Sequence, residues 1–190
     1  NLTVQNCVAE DVTGGTFVTT SGPTGLSPEK GLHGTITIVN NKVSGVTATN
    51  ASAFNLWYAN EHVITGNVVE NVAFNAFNLN QTVGDVTFEN NAISDVEEYG
   101  LQLANSISGE NSEINIRDNS FSDVKSGKAA INISGTVSAG TVTIENNEVF
   151  SDENGVAIQM KEATVDNTVD LTITNNTFNN APVGATVGEN

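Results

Sequence analysis

The chain has 190 residues, of which 38% are hydrophobic, 15% charged and 6% aromatic, and its formal net charge is −16. Such an acidic chain repels phosphate backbones and anionic membrane surfaces, so we predict neither nucleic-acid binding nor membrane insertion. Cys7 is the only cysteine, which excludes an internal disulfide.

Two short segments recur along the chain, and both alternate apolar and other residues as half-buried strands do. The first reads apolar–x–apolar–x–Asn–Asn–x–apolar in its regular form. Its third position is occupied, in chain order, by Val4, Ile38, Ile64, Phe88, Ile116, Ile144 and Ile173.

The second segment follows each copy of the first and reads small–apolar–polar–apolar. Its copies begin at Ala53, Ala76, Gly100, Ala130, Ala157 and Gly184, and the match is blurred in the first coil. A pair of short strands cannot bury an apolar face alone, whereas stacking of successive coils buries it continuously. We therefore predict an all-β fold, a single-stranded right-handed parallel β-helix of about seven coils, with residues 1–190 forming one domain.

The second Asn of the repeated pair is expected to form a ladder along the axis. Asn tolerates a left-handed backbone, and its amide both donates and accepts hydrogen bonds. The ladder positions are Asn41, Asn67, Asn91, Asn119, Asn147 and Asn176, with Cys7 in the same place in the first coil.

These repeats resemble the parallel β-helix repeats of the pectate-lyase-like superfamily, and we expect a protein of the non-catalytic surface adhesin type. The resemblance covers nearly the whole chain. It implies the fold but not one activity, because this architecture serves lyases, hydrolases, epimerases, tailspikes and adhesins alike.

One region combines an aromatic side chain with ionisable neighbours. Alternation places Trp57, the only tryptophan, on the outside, followed by Tyr58, Glu61 and His62. An exposed aromatic beside carboxylates is typical of a sugar-binding face, and we treat the four residues as candidate ligand-binding residues. Two alternatives compete with this interpretation: Trp57 packs beneath the insertion at 20–34, and His62 is a packed histidine on a strand position that is apolar elsewhere.

A carboxylate pair is the candidate that we retain for a metal site. Asp95 and Asp123 occupy equivalent positions in adjacent coils, at the spacing of neighbouring strands. Turn formation explains both aspartates best, with a weak Ca²⁺ site as the alternative. The single arginine, Arg117, is expected in an ion ladder with Glu89 and Glu145. We therefore assign no catalytic residue and no cofactor apart from this Ca²⁺ alternative.

The expected function is a non-catalytic structural or adhesive module, located outside the cell or on the surface of a bacterium or archaeon. It is either the shaft or binding domain of an adhesin, or a filament subunit that stacks end to end, and its expected partners are surface glycans or a second copy. We expect the chain to be a processed product or a piece of a longer protein. The alternative is a carbohydrate-active hydrolase or lyase acting in a groove along the helix, with Asp95, Asp123 and the Trp57 region as its site.

Overall fold

The computed structural model describes residues 1–20, 33–125, 127–151, 155–160, 163–165, 169–180 and 183–187. Every regular element in these ranges is a β-strand. Each strand pairs in parallel with its equivalent in the next coil, and these pairings form three ladders along one axis.

The three ladders use strands in rotation. The first contains β1 (Leu2–Gln5), β4 (His33–Val39), β7 (Ala59–Thr65), β10 (Val86–Glu89), the ends of β12 (Leu101–Arg117) and β15 (Gly135–Glu145), and β19 (Asp170–Thr174). The second contains β2 (Val8–Ala9), β5 (Lys42–Val46), β8 (Val68–Val72), β11 (Ala92–Val96), β13 (Ser120–Val124), β16 (Glu148–Ser151) and β20 (Thr177–Asn179). The third contains β3 (Val18–Thr19), β6 (Phe54–Trp57), β9 (Phe77–Thr82), the start of β12, β14 (Ala129–Ile133), β17 (Val156–Met160) and β21 (Val183–Val187). A short strand, β18 (Ala163–Val165), pairs with the start of β15.

The predicted fold class is confirmed, with a small difference in the number of coils. The second ladder has seven strands, but the first and last contain only two and three residues. The five strands between them contain four or five residues each. The rod therefore has about five complete coils rather than seven.

The core is one continuous apolar column inside the coils. Inward side chains of successive coils lie in register, as in the pairs Ile38–Ile64 and Ile64–Phe88. From Ile38 through Ile144 this first-ladder column is fully buried. A second column, from the third ladder, contains Leu56, Leu79, Leu103, Ile133 and Met160, each at most 1% exposed.

The asparagine ladder is confirmed. In its central part, Asn67 donates its backbone N–H and its Nδ2 to Oδ1 of Asn91, at 3.0 and 2.9 Å. Its Nδ2 also donates to the carbonyl of Ile38 in the preceding coil. The same bonds link Asn41 to Asn67, Asn91 to Asn119, Asn119 to Asn147, and Asn147 to Asn176. The ladder begins where Cys7 donates its backbone N–H to Oδ1 of Asn41.

The two residues of each pair have different roles at this corner. The first residue of the pair has a left-handed backbone with φ between 53° and 66°, and the second makes the ladder. The first position contains Asn6, Asn40, Gly66, Asn90, Asp118, Asn146 and Asn175. Asn, Asp and Gly are the residues that tolerate this conformation most readily, which explains why all seven belong to these types.

Candidate functional site

The outward face of the third ladder differs from the rest of the surface because its strands carry no charge. From β6 to β17, the segments 54–57, 77–82, 101–104, 129–133 and 156–160 contain no Asp, Glu, Lys or Arg, although the chain has 22 acidic residues. Between the buried apolar positions stand amide side chains in register: Asn55, Asn78, Gln102, Asn132 and Gln159. We call these five residues the amide face. At the spacing of parallel strands it is roughly 19 Å long.

The amides of this face are held by hydrogen bonds and are partly open to solvent. Asn78 donates its Nδ2 to Oδ1 of Asn55 at 2.9 Å, and Gln102 donates its Nε2 to Oγ of Ser134 at 3.3 Å. Asn132 is only 5% exposed, whereas the other four are half-buried. The accessible and contiguous part of the face is therefore Asn55, Asn78 and Gln102.

Trp57 stands at the edge of this part and is fixed in position. It is half-buried and points outward, two residues after Asn55 on the same strand. Its indole Nε1 donates to Oδ1 of Asn55 at 2.9 Å. Its backbone N–H donates to Oγ1 of Thr20 at 2.7 Å, and the Thr20 hydroxyl donates to its carbonyl at 3.2 Å. The predicted outward position is thus what the structure shows. Trp57 was alternatively expected to pack beneath the insertion at 20–34, of which residues 21–32 lie outside those described.

Tyr58 lies beside Trp57 in a conformation unusual for its type. The two ring centroids are 5.7 Å apart, with the planes tilted by 42°. The backbone φ of Tyr58 is 55°, and Gln81, one coil later, has a φ of 54°. A left-handed backbone costs a bulky residue about 1–2 kcal/mol, and such strain is typical of functional sites. The turn geometry therefore holds the Tyr58 ring next to the indole.

Glu61 and His62 lie beyond this corner, on the first ladder. Oε2 of Glu61 accepts a hydrogen bond from Oγ1 of Thr35 at 2.7 Å, so this half-buried carboxylate is engaged by the preceding coil. His62 is 0% exposed and lies in register between Ile36 and Val86. Its side chain points into the core and cannot contact a ligand bound to Trp57. Of the four candidate residues, the structure brings together only Trp57 and Tyr58.

The His62 ring is a neutral group in an apolar surrounding. Burial first, and the charge of His33 second, lower its pKa from 6.5 to about 3. Its Nδ1 lies 3.3 Å from Oγ1 of the buried Thr82. Its Nε2 has no hydrogen-bond partner among the described residues. His62 is thus a core residue whose apolar surroundings disfavour the protonated form of the ring.

Asp95 and Asp123 occupy equivalent positions of the second ladder at which the backbone is left-handed and the strand pairing is interrupted. Each has a φ of 53°, and their flanking residues are paired in register. In the preceding coils the same position holds Asp11, Gly45 and Asn71, also at positive φ. Asp95 borders a surface groove of about 350 Å³ that is also lined by Asn71 and Glu97. The backbone conformation alone accounts for Asp at both positions, since Asp is among the few residues that adopt it readily.

Among the described residues, three basic side chains are paired with glutamates. Nε of Arg117 lies 3.0 Å from Oε1 of Glu145 in the next coil. Glu97 pairs with Lys125. Lys128 pairs with Glu98 at 2.5 Å, and this pairing raises the pKa of the lysine. The arginine is therefore paired with Glu145, one of the two glutamates of the predicted ion ladder, and Glu89 is its register neighbour in the preceding coil.

These features define a β-helix protein: parallel coils, an apolar interior and an internal asparagine ladder. A family model described as a right handed beta helix region matches residues 1–178. The chain therefore belongs to this family, which confirms the resemblance as far as the fold. No curated protein and no solved structure matches the chain.

Neither a membrane-spanning helix nor a cluster of metal ligands is found among the described residues. No helix among them is long and apolar enough to cross a membrane. No group of three or more His, Cys, Asp or Glu side chains among them is placed to hold a metal ion.

The amide face is the feature that sequence reasoning missed. The polar position of the second segment is visible in the sequence, as in Ala-Phe-Asn-Leu and Gly-Leu-Gln-Leu. The signal was the restriction of that position to amides from the second to the sixth coil. It becomes a surface only when the coils are aligned in register.

Proposed function

We propose that this chain is a non-catalytic structural and adhesive module, exposed on the surface of a bacterial or archaeal cell. The observation that carries the proposal is the uncharged amide face with Trp57 and Tyr58 fixed beside it. Contact surfaces often place a rigid aromatic next to groups that both donate and accept hydrogen bonds. The rest of the rod supports a shaft role, because the ladder and the core continue from coil to coil.

The alternative is a carbohydrate-active enzyme that uses the groove beside Asp95. A lyase or hydrolase needs a positioned base or acid near its substrate. In that groove Glu97 is paired with Lys125, and the left-handed backbone of Asp95 accounts for an aspartate at that position. The ion pair and the backbone conformation favour the structural role over the enzyme.

One experiment separates these functions. The purified chain is incubated with soluble polysaccharides, both neutral and acidic. Binding is measured by retardation in polymer-containing native gels, and turnover by the appearance of new reducing ends and of unsaturated products. Retardation without turnover is the expected result. If the chain produces new polymer ends and the Asp95→Asn variant does not, the protein is an enzyme and the proposal is wrong.

The same preparation tests the filament version of the proposal. If coils of successive copies stack end to end, electron micrographs of the native protein show fibres one rod wide, and sedimentation depends on protein concentration. Single short rods at all concentrations would reject the filament version and retain the shaft or binding-domain version.

A further inference from the structure

We propose that the amide face binds a neutral polysaccharide, with hydroxyl groups hydrogen-bonded by Asn78 and Gln102 and a sugar ring packed on Trp57 and Tyr58. This inference rests on the proposed adhesive function and names its ligand class.

Charge selects the ligand class. The whole chain carries a net charge of −16, and an anionic polymer would be repelled at any approach. The third-ladder segments from β6 to β17 have no ionised side chain that must be desolvated when a ligand covers them. Burying a charge is far more costly than burying an amide that finds a partner. Binding of a neutral polymer to this face therefore carries the smallest free-energy cost of desolvation and charge repulsion.

The amides match the chemistry of sugar hydroxyls. A hydroxyl donates one hydrogen bond and accepts others, and a primary amide does the same from two different atoms. Asn78 uses one Nδ2 hydrogen on Asn55, which leaves its other hydrogen and its Oδ1 for a ligand. Gln102 uses one Nε2 hydrogen on Ser134 in the same way. Because the two residues are paired in register, equivalent groups repeat at the strand spacing of about 4.8 Å.

Trp57 is held in position before any ligand arrives, through its indole nitrogen, its backbone N–H and its carbonyl. The Tyr58 ring lies beside it, with the two ring centroids 5.7 Å apart. Binding to an already ordered side chain avoids the entropy cost of immobilising it. The pair thus provides an apolar platform at one edge of the amides, where the C–H face of a sugar ring can pack.

The test compares two variants that add the same charge at different faces. Gln102→Glu removes the amide donor from the face and adds a carboxylate. Thr87→Glu adds a carboxylate to an outward, half-buried position on the first ladder. A third variant, Tyr58→Asn, removes the ring and introduces a residue that tolerates positive φ. Affinity gels contain a β-glucan, a mannan, a xylan or polygalacturonate, and thermal melts establish that each variant is folded.

The expected result is retardation by at least one neutral polymer and none by polygalacturonate. Affinity falls about tenfold in Gln102→Glu, where a donor is lost and a charge is buried, and about fivefold in Tyr58→Asn. Thr87→Glu binds as the unmodified chain does. The inference is overturned if no neutral polymer binds, if polygalacturonate binds as well, or if the folded Gln102→Glu and Thr87→Glu variants behave alike.

The outcomes also separate this inference from the proposed function. Binding of a polymer without turnover, unaffected by Gln102→Glu, rejects the amide face and keeps the adhesive module. Turnover of a polymer rejects the adhesive module, whereas the effect of Gln102→Glu on binding still reports on the face. If the face instead joins two copies of the chain, Gln102→Glu abolishes a dimer in sedimentation velocity and polymer binding is absent.

Discussion

Replacement of His62 by leucine should remove a large part of the acid sensitivity of this protein. The ring is fully buried between Ile36 and Val86, and its pKa is lowered from 6.5 to about 3. In the unfolded chain the ring takes up a proton below pH 6.5, whereas in the folded chain it does so only near pH 3. The unfolded state therefore binds more protons in this window, and stability falls as the pH falls from 6.5 towards 3.

The magnitude follows from the same difference. Each pH unit below 6.5 costs the folded state about 1.4 kcal/mol until the folded-state pKa is reached. At pH 5 the loss from His62 is about 2 kcal/mol relative to pH 7. At pH 7 the leucine variant loses the contact of Thr82 with the ring but also removes a buried nitrogen without a partner. These effects oppose each other, so the stability of the variant at pH 7 should be close to that of the unmodified chain.

Urea unfolding at pH 7 and pH 5 measures this effect. The free energy of unfolding of the unmodified chain should drop about 2 kcal/mol more than that of His62→Leu. Titration of the carboxylates is common to both proteins and cancels in the comparison. His33→Gln is the control, because His33 is half-buried and is only the second cause of the shift. This variant should keep most of the pH dependence. Equal drops in the unmodified chain and His62→Leu would refute the assignment of the buried neutral ring.

Three further predictions concern the asparagine ladder, Tyr58 and the two aspartates of the second ladder, and each is measured by urea unfolding or thermal melts. Asn91→Ala should cost about 3 kcal/mol, because buried backbone and amide groups of both neighbouring coils lose partners. Asn176→Ala breaks equivalent bonds at a half-buried position, where water can replace them, and should cost about 1 kcal/mol. Tyr58→Asn should stabilise the chain by up to about 1 kcal/mol, since Asn tolerates positive φ better. Asp95→Asn and Asp123→Asn should change stability by less than about 0.5 kcal/mol, because the left-handed backbone suits either residue.

Each of these predictions has a contradicting result. Equal losses in Asn91→Ala and Asn176→Ala would mean that burial does not control the strength of the ladder. A destabilised Tyr58→Asn variant would show that ring packing outweighs the backbone strain. If Ca²⁺ raises the melting temperature of the unmodified chain but not of the Asp95→Asn, Asp123→Asn double variant, the two carboxylates form a cation site and do not serve only the backbone conformation.

Much of the fold could be predicted from the sequence because each coil repeats the same alternation of apolar and other residues and the same asparagine corner. The columns through Ile38 and Leu56 follow from alternation within a strand and from the recurrence of the segments. Asn91 and its equivalents could be named as ladder residues because a corner leaves backbone groups that must find partners. The inward position of His62 follows from the same alternation, as the packed-histidine interpretation stated.

The candidate site was predicted less completely. Trp57 and Tyr58 were identified as candidates, but Glu61 was grouped with them by proximity in sequence. The structure engages its carboxylate with Thr35 of the preceding coil. Sequence neighbours on either side of a corner belong to different ladders, so their side chains face different parts of the surface.

The sequence by itself determined the coil, its apolar interior and the residues of the asparagine ladder, since all three depend on patterns within one repeat. Only the tertiary structure decided which residues share a surface. Asn55, Asn78 and Gln102 are more than 20 residues apart from one another, and they meet because parallel pairing brings each coil into register with the next. The uncharged face is a property of that register, which no single repeat contains.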